Sequence, residues 1–287
     1  MLSSADAERV AELMRETAAT ELLPRFRSLA KEDIRLKGPG DFVTVADVAA
    51  EQRLASGLAK ILPGVPVVGE ESVENEPGLV DLIARPGESC WVVDPLDGTA
   101  NFASGKDRFA IIVCLVRDTV AVGGWILDLP TGRMAMALKG EGATLDGVPV
   151  RRPKPARPPI GFVGYKVKKE FDRQLPPAKR RTLGRVSTLN CAGAEYHEIL
   201  AGRADFNLYR MTKPWDHAAG TLMIAEAGGE AQRFDGKPYA PAQPINGGLI
   251  TAIHPQTLAE VRTLFEAVRM PLLAGLPQGE RGPPARS

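Results

Sequence analysis

Apolar residues recur at helical spacing near the start of the chain. Val10, Leu13, Met14, Leu22 and Leu23 follow a 3.6-residue period, which predicts a helix within residues 4 to 30. Ser4 or Asp6 can cap it, and Pro24 limits it. KGPGDF then reads as a turn. A second helix is predicted after Asp47, with Val48, Leu54, Leu58 and Ile61 on one face and Leu62-Pro63-Gly64 as its stop. Two short apolar runs, Val65 to Gly69 and Trp91 to Val93, suit buried strands, with a short helix over 77 to 85 between them.

From Phe109 to Gly147 the pattern becomes FAIIVCLV, VAVGGWIL and RMAMAL, the last two separated by Asp-Leu-Pro-Thr-Gly-Arg. That is a meander of antiparallel strands with a hairpin signal. RRPKPARPP, residues 151 to 159, reads as a basic, proline-rich connection or domain boundary. Beyond it strand and helix alternate: IGFVGYKV, a basic helix around 169 to 182, a helix over 191 to 202, ADFNLY, a helix over 216 to 227, GLITAI, and a helix over 255 to 269. The alternation predicts a mixed sheet covered by helices. The expected division is an α+β half over 1–150, an α/β half over 151–270, and a frayed tail over 271–287.

Composition narrows the classes. The 287 residues are 44% hydrophobic and 25% charged, enough for a full core. The net charge of +1 leaves no global field toward nucleic acid or anionic lipid. The basic stretch over 151 to 181 lacks interleaved aromatics, which argues against a nucleic-acid partner. Cys90, Cys114 and Cys191 are far apart and form no C-x-x-C pair, so free buried thiols in a reducing, cytoplasmic setting are expected. MLSSADAERVAELMRE lacks the order of a signal peptide, and no apolar run suits a membrane span.

The chemistry concentrates in WVVDPLDGTANF. A short apolar strand delivers Asp94, Pro95 fixes a turn, and Asp97 follows three residues later. Gly98 and Thr99 then offer backbone N–H groups at a helix start. Carboxylates bind hard cations such as Mg2+, and clustered N–H groups bind phosphate oxygens. Taken alone, Asp-Pro-x-Asp-Gly is a capped turn. Glu70 and Glu71 close the run VVGEES, Asp216 opens a helix in KPWDHAAG, and Asp41, Thr44 and Asp47 lie in DFVTVAD. Each taken alone fits capping or solvation. Their joint occurrence in this order does not follow from capping.

DFVTVAD, GEES, DPLDGTANF and WDHAAGTLMIAEAGG together resemble the inositol monophosphatase family of magnesium-dependent, lithium-sensitive phosphatases. The resemblance implies a layered αβαβα sandwich of the sugar-phosphatase type and a homodimer. It implies a first Mg2+ on Glu70, Asp94, the Leu96 carbonyl and Thr99, and a second on Asp94, Asp97 and Asp216. A third, weaker ion would lean on Glu70 through water. Asp47 and Thr99 would orient and deprotonate the attacking water. Lys37, Asp97, Gly98, Thr99, Ala192, Tyr209 and Asp216 would contact the phosphate or the substrate. No catalytic histidine is needed; His197 and His254 read as structural or surface residues, and His217 either as a support or aid to a leaving group or as a surface or capping residue.

Two positions depart from the family. Tyr209 stands seven residues before the WD aspartate, where many members carry an inositol-binding glutamate. Asn190-Cys191-Ala192-Gly193 replaces a Gly-Ser/Thr-Ala-Ala segment. The implied substrate is a small phosphate monoester, inositol monophosphate or a similar sugar or polyol phosphate first. A 3′(2′),5′-bisphosphate nucleotide or histidinol phosphate comes next. A scaffold acting in a transcription complex is the non-enzymatic alternative, and the full set of acidic groups argues against it.

Overall fold

The computed structural model describes residues 2–38, 41–152 and 154–266, without the side chains of Lys31, Lys37 and Asp41. The expectations for Lys37 and for the 271–287 tail therefore fall outside the described residues. The first apolar stripe forms helix α1 (Ser4–Thr17), and Ser3 rather than Ser4 or Asp6 is its N-cap. Ser3 Oγ accepts from the Asp6 N–H while the Asp6 carboxylate accepts from the Ser3 N–H.

Strands β1 (Ile34–Gly38) and β2 (Asp41–Thr44) pair antiparallel, so Lys37, Gly38, Asp41 and Phe42 of the segment read as a turn belong to strands. A second capping box, Thr44 with Asp47, starts helix α2 (Val45–Ile61) ahead of the expected point. Strand β3 (Val67–Gly69) stops where helix α3 (Glu70–Asn75) begins. Glu70 and Glu71 thus open a helix instead of closing a strand.

Strand β4 (Ser89–Asp97) runs into helix α4 (Thr99–Ala103). The meander follows as β5 (Ala110–Arg117), β6 (Val120–Asp128), β7 (Arg133–Leu138), β8 (Gly142–Leu145) and β9 (Val148–Pro149). These strands form a sheet in sequential order from β3 to β9, parallel only between β3 and β4.

The second sheet holds β10 (Gly161–Val163), β11 (Val186–Ser187), β12 (Phe206–Tyr209), β13 (Glu230–Gln232) and β14 (Leu249–Ala252), in the order β11-β10-β12-β14-β13. It is mixed, as expected: β10 runs parallel to β11 and β12, and β14 antiparallel to β12 and β13. The intervening helices are α5 (Tyr165–Gln174), α6 (Pro177–Arg180), α7 (Ala192–Leu200), α8 (Pro214–Glu226) and α9 (Pro255–Glu266). IGFVGYKV is strand only to Val163; Gly164 caps α5, and Val167 joins Phe171 on its buried face. The expected basic helix breaks at Pro176 and Pro177, because proline cannot donate an i→i−4 bond and disfavours helix before it.

The layers follow from which side chains share a core. Trp91, Val93, Ile111, Val113 and Leu115 pack with α1 and α2. Cys90, Val92, Ile112 and Cys114 pack with α7 and α8 on the opposite face. A sheet covered on both faces has no solvated side, so its strands read as unbroken apolar runs. The other side of α8 meets β13 and β14, and α5 and α9 cover the far face of the second sheet. The sequence of layers is helix, sheet, helix, sheet, helix, as the resemblance implied. All three cysteines are free and buried.

Candidate active site

The end of β4 is bent by one extra residue. Asp94 pairs with Ile112 and Asp97 with Ala110, so the register slips between them, at Pro95 and Leu96. The Leu96 N–H turns back onto Asp94 Oδ1 at 3.0 Å. Gly98 takes φ 86° and caps α4. A Cβ there would lie 2.8 Å from the Arg108 carbonyl and 3.1 Å from Cys191 Cβ, so both its backbone angle and its surroundings demand glycine.

Three elements bring carboxylates to this corner. Glu70 opens α3, Asp94 lies three residues before the end of β4, and Asp216 sits in the first turn of α8. Each offers an oxygen, and these oxygens lie within 4.8 Å of one another. Burial pushes the Asp94 carboxyl well above its ordinary range, and the charges of Glu70, Asp97 and Asp216 push it further. A cation removes that repulsion. The donors are all oxygens and crowded by like charge, which fits a hard ion such as Mg2+. Glu70, Asp94, Leu96, Asp97, Gly98, Thr99, Lys213 and Asp216 line one cavity of about 360 Å³.

Asp97 lines the cavity but is tied toward α7. Its Oδ2 accepts from the Gly193 N–H at 2.6 Å and the Cys191 thiol at 3.1 Å, and the Ala192 N–H also points to it. Burial raises the Asp97 carboxyl, and these donors partly offset the rise. Ala192 therefore serves Asp97 and is not a lining residue of the cavity.

Asp47 and Thr99 meet as expected. Thr99 Oγ1 lies 3.0 Å from Asp47 Oδ1 and 2.9 Å from the Leu96 carbonyl. The other Asp47 oxygen accepts from the Thr44 N–H at 2.8 Å and the Thr44 hydroxyl at 2.6 Å. One carboxylate thus caps α2 and faces Thr99 at once. Burial raises Asp47 to about 6 against the hydrogen bonds from Thr44 and Thr99.

Tyr209 also stands outside the cavity lining. Its hydroxyl donates to Glu195 and its ring lies 4.4 Å from that of His217. Glu195 further accepts from the Leu189 N–H at 2.8 Å and the Thr188 hydroxyl at 3.1 Å. Burial raises Glu195 to about 7. His217 is buried, not at the surface, facing Tyr196 Oη through Nδ1 and the Met211 carbonyl through Nε2, each at 3.3 Å. Burial lowers it to about 3, so the ring stays neutral and carries no proton to a leaving group. His197 is buried on the Ile126 carbonyl at 3.0 Å.

Sequence reasoning missed three supports. Lys213 lies 2.9 Å from Glu70. Glu195 is buried on α7, where the charge of Asp97 adds to the rise of its carboxyl. Glu51, one helical turn after Asp47, accepts from the N–H groups of Glu71 and Ser72 at 2.8 and 2.9 Å and from the Ser72 hydroxyl. Its i, i+4 relation to Asp47 was the available signal. A Cβ at Gly69 would displace that Glu51 carboxylate, so the glycine leaves room for it. Glu51→Ala is expected to cost about 1–2 kcal/mol of stability, the worth of a lost N-terminal cap, in a urea titration. It should also weaken Mg2+ binding measured by calorimetry, because Glu70 begins the helix that Glu51 holds.

The chain matches the model of the inositol monophosphatase family over residues 6–268. It is 32% identical to the inositol-1-monophosphatase of Caulobacter vibrioides over 259 residues, 85% of this chain and 96% of that protein. The fold superposes on the Thermotoga maritima IMPase with a TM-score of 0.74 at 23% identity, covering 90% of this chain and 97% of that one. It superposes on an IMPase/NADP phosphatase complexed with Mg2+ and phosphate with a TM-score of 0.71 at 18% identity, covering 90% and 92%. Read with the carboxylate cluster beside the Asp-Pro-Leu-Asp-Gly-Thr turn, the match leaves one assignment: the chain belongs to the inositol monophosphatase family.

Proposed function

We propose that this chain is a magnesium-dependent phosphatase acting on a small phosphate monoester, inositol monophosphate or a similar sugar or polyol phosphate. The observation that carries the reading is the convergence of Glu70, Asp94 and Asp216, their oxygens within 4.8 Å, beside a cavity lined by Gly98 and Thr99. A phosphate monoester carries about two negative charges near neutral pH and repels a nucleophile of the same sign. Those carboxylates, with Asp97, would hold Mg2+. When bound, the ion neutralises the phosphate and makes water a stronger acid.

The remaining steps belong to the side chains. Thr99 Oγ1 bridges to Asp47 Oδ1, so a proton leaving the attacking water can pass to Thr99 while Thr99 passes its own to Asp47. Gly98 and Thr99 would hold the phosphate through backbone N–H groups. Asp97, held on α7, would orient the substrate together with Asn190, which lines the same cavity. No covalent intermediate is needed. Lys37 on β1 is kept as a phosphate contact of the same reading.

Tyr209 bears on which monoester is preferred. Its hydroxyl donates its one proton to Glu195 and stands outside the cavity lining, so it supports the 188–190 segment instead of contacting a sugar hydroxyl. Tyr209→Phe is expected to cost about 1–3 kcal/mol in a urea titration, since it removes a donor from a buried carboxylate. It should raise KM for a polyol phosphate more than it lowers kcat. A fall in kcat with KM unchanged would count against this role.

Lithium inhibition, a homodimer and a cytoplasmic setting belong to the same reading through the family resemblance. Among the described residues no helix is long and apolar enough to cross a membrane. The deciding experiment is phosphate release from inositol 1-phosphate, glycerol 2-phosphate, fructose 1,6-bisphosphate, histidinol phosphate and adenosine 3′,5′-bisphosphate, with and without Mg2+. Magnesium-dependent release, largest from inositol 1-phosphate or another polyol phosphate, is the expected result. No release from any would overturn the enzyme reading.

A further inference from the structure

The cleft carries a cation of its own. Lys213 Nζ lies 2.9 Å from Glu70 Oε1, with 27% of the lysine side chain and 15% of the glutamate side chain exposed. The contact spans 143 residues and joins α8 to α3. Lys213 is the N-cap residue of α8, and its backbone is fixed on both sides. Thr212 before it is fully buried, its N–H on the Ile245 carbonyl at 2.7 Å. Pro214 after it fixes the first helical position. The ammonium also stands 5.7 Å from the Trp215 ring. A lysine so anchored, half-enclosed and aimed at a carboxylate of the cluster is not a solvated surface charge.

We propose that Lys213 is the resident counter-ion of Glu70 and takes the place of a third, weakly held divalent ion, limiting this chain to two. The inference rests on the phosphatase reading of the same site. Glu70, Asp94, Asp97 and Asp216 bring four negative charges, and a phosphate monoester about two more. Two divalent ions cancel four of them. Lys213 cancels one further charge without needing free metal, and the oxygen it holds on Glu70 is unavailable to another ion. Its charge also repels any cation placed beside it, an effect worth on the order of tenfold in affinity even at water-like screening.

The test is Mn2+ binding to the full chain, followed by calorimetry and by the electron paramagnetic resonance of the free ion, with no substrate present. Lys213→Met is expected to bind one ion more than the parent, or to bind its last ion about tenfold tighter. Lys213→Arg should keep the parent's stoichiometry, because it keeps the charge. Lys213→Gln, also neutral, replaces the methionine variant if that one does not fold. Unchanged stoichiometry and affinity in the neutral variant would overturn the role of Lys213. A parent that binds no Mn2+ would instead remove the phosphatase reading and this inference with it.

Discussion

Asp94→Asn is expected to lower turnover at least about a thousandfold, equivalent to several kcal/mol of lost charge stabilisation, without lowering the melting point of the metal-free protein. Asp94 is buried near the end of β4, within reach of both Glu70 and Asp216. Its carboxyl is raised first by burial and then by those neighbours. A group whose folded pKa is raised adds stability below its unfolded pKa and loses it as pH rises through the folded value. The ionised form of Asp94 therefore opposes folding unless a cation is present, and asparagine removes that opposition. The parent should melt higher with Mg2+ than with a chelator, and the variant should show little of this difference. Phosphate release and thermal melts, each with Mg2+ and with chelator, measure both halves. Near-parental turnover in a folded Asp94→Asn protein would sink the metal-site assignment.

Asp47→Asn carries the second largest expectation, a loss of about a hundredfold to ten-thousandfold in kcat/KM, the range of a general base. Asparagine can still accept from Thr44 through its single carbonyl oxygen, so α2 should keep a cap. What is lost is the acceptor of the Thr99 proton. A base works when ionised, so activity rises as pH rises through its pKa. Asp47 stands at about 6 without metal, and a nearby cation can only lower it. The acid limb of the kcat/KM profile should thus be steeper in the parent, where Asp47 adds its own ionisation at or below about 6, than in Asp47→Asn, where only the second ionisation of the phosphate near about 6 remains. Thr99→Ala should cost a similar factor, and the double variant little more, because the two residues act as one relay. An acid limb as steep in Asp47→Asn as in the parent would assign the base elsewhere. The Asp47 contribution to metal-free stability is full below 3.8 and disappears as pH rises to about 6.

Much of the site was legible because its residues lie in short, dense segments. Asp94, Asp97, Gly98 and Thr99 fall within six positions, and a bulge plus one left-handed glycine turns them to one cavity. Asp47 was legible for two reasons that proved compatible, capping α2 with one oxygen and facing Thr99 with the other. Tyr209 and Ala192 were legible as positions but not as contacts. Where each group points depends on Glu195 and Asp97, which reach them across the fold.

By itself the sequence determined the elements and the charge inventory of the site. Apolar period, capping residues and prolines act over a few residues, and those interactions form wherever the chain goes. The tertiary structure decided which carboxylates meet. Glu70, Asp94 and Asp216 come from α3, β4 and α8, and only the stacking of α8 against the first sheet closes their distance. It decided that Glu51 holds the start of α3 and that Lys213 faces Glu70, pairings separated by 20 and 143 residues. The reason is physical: a hydrogen bond or ion pair is a short-range contact, and between segments so far apart only the packed core sets the distance.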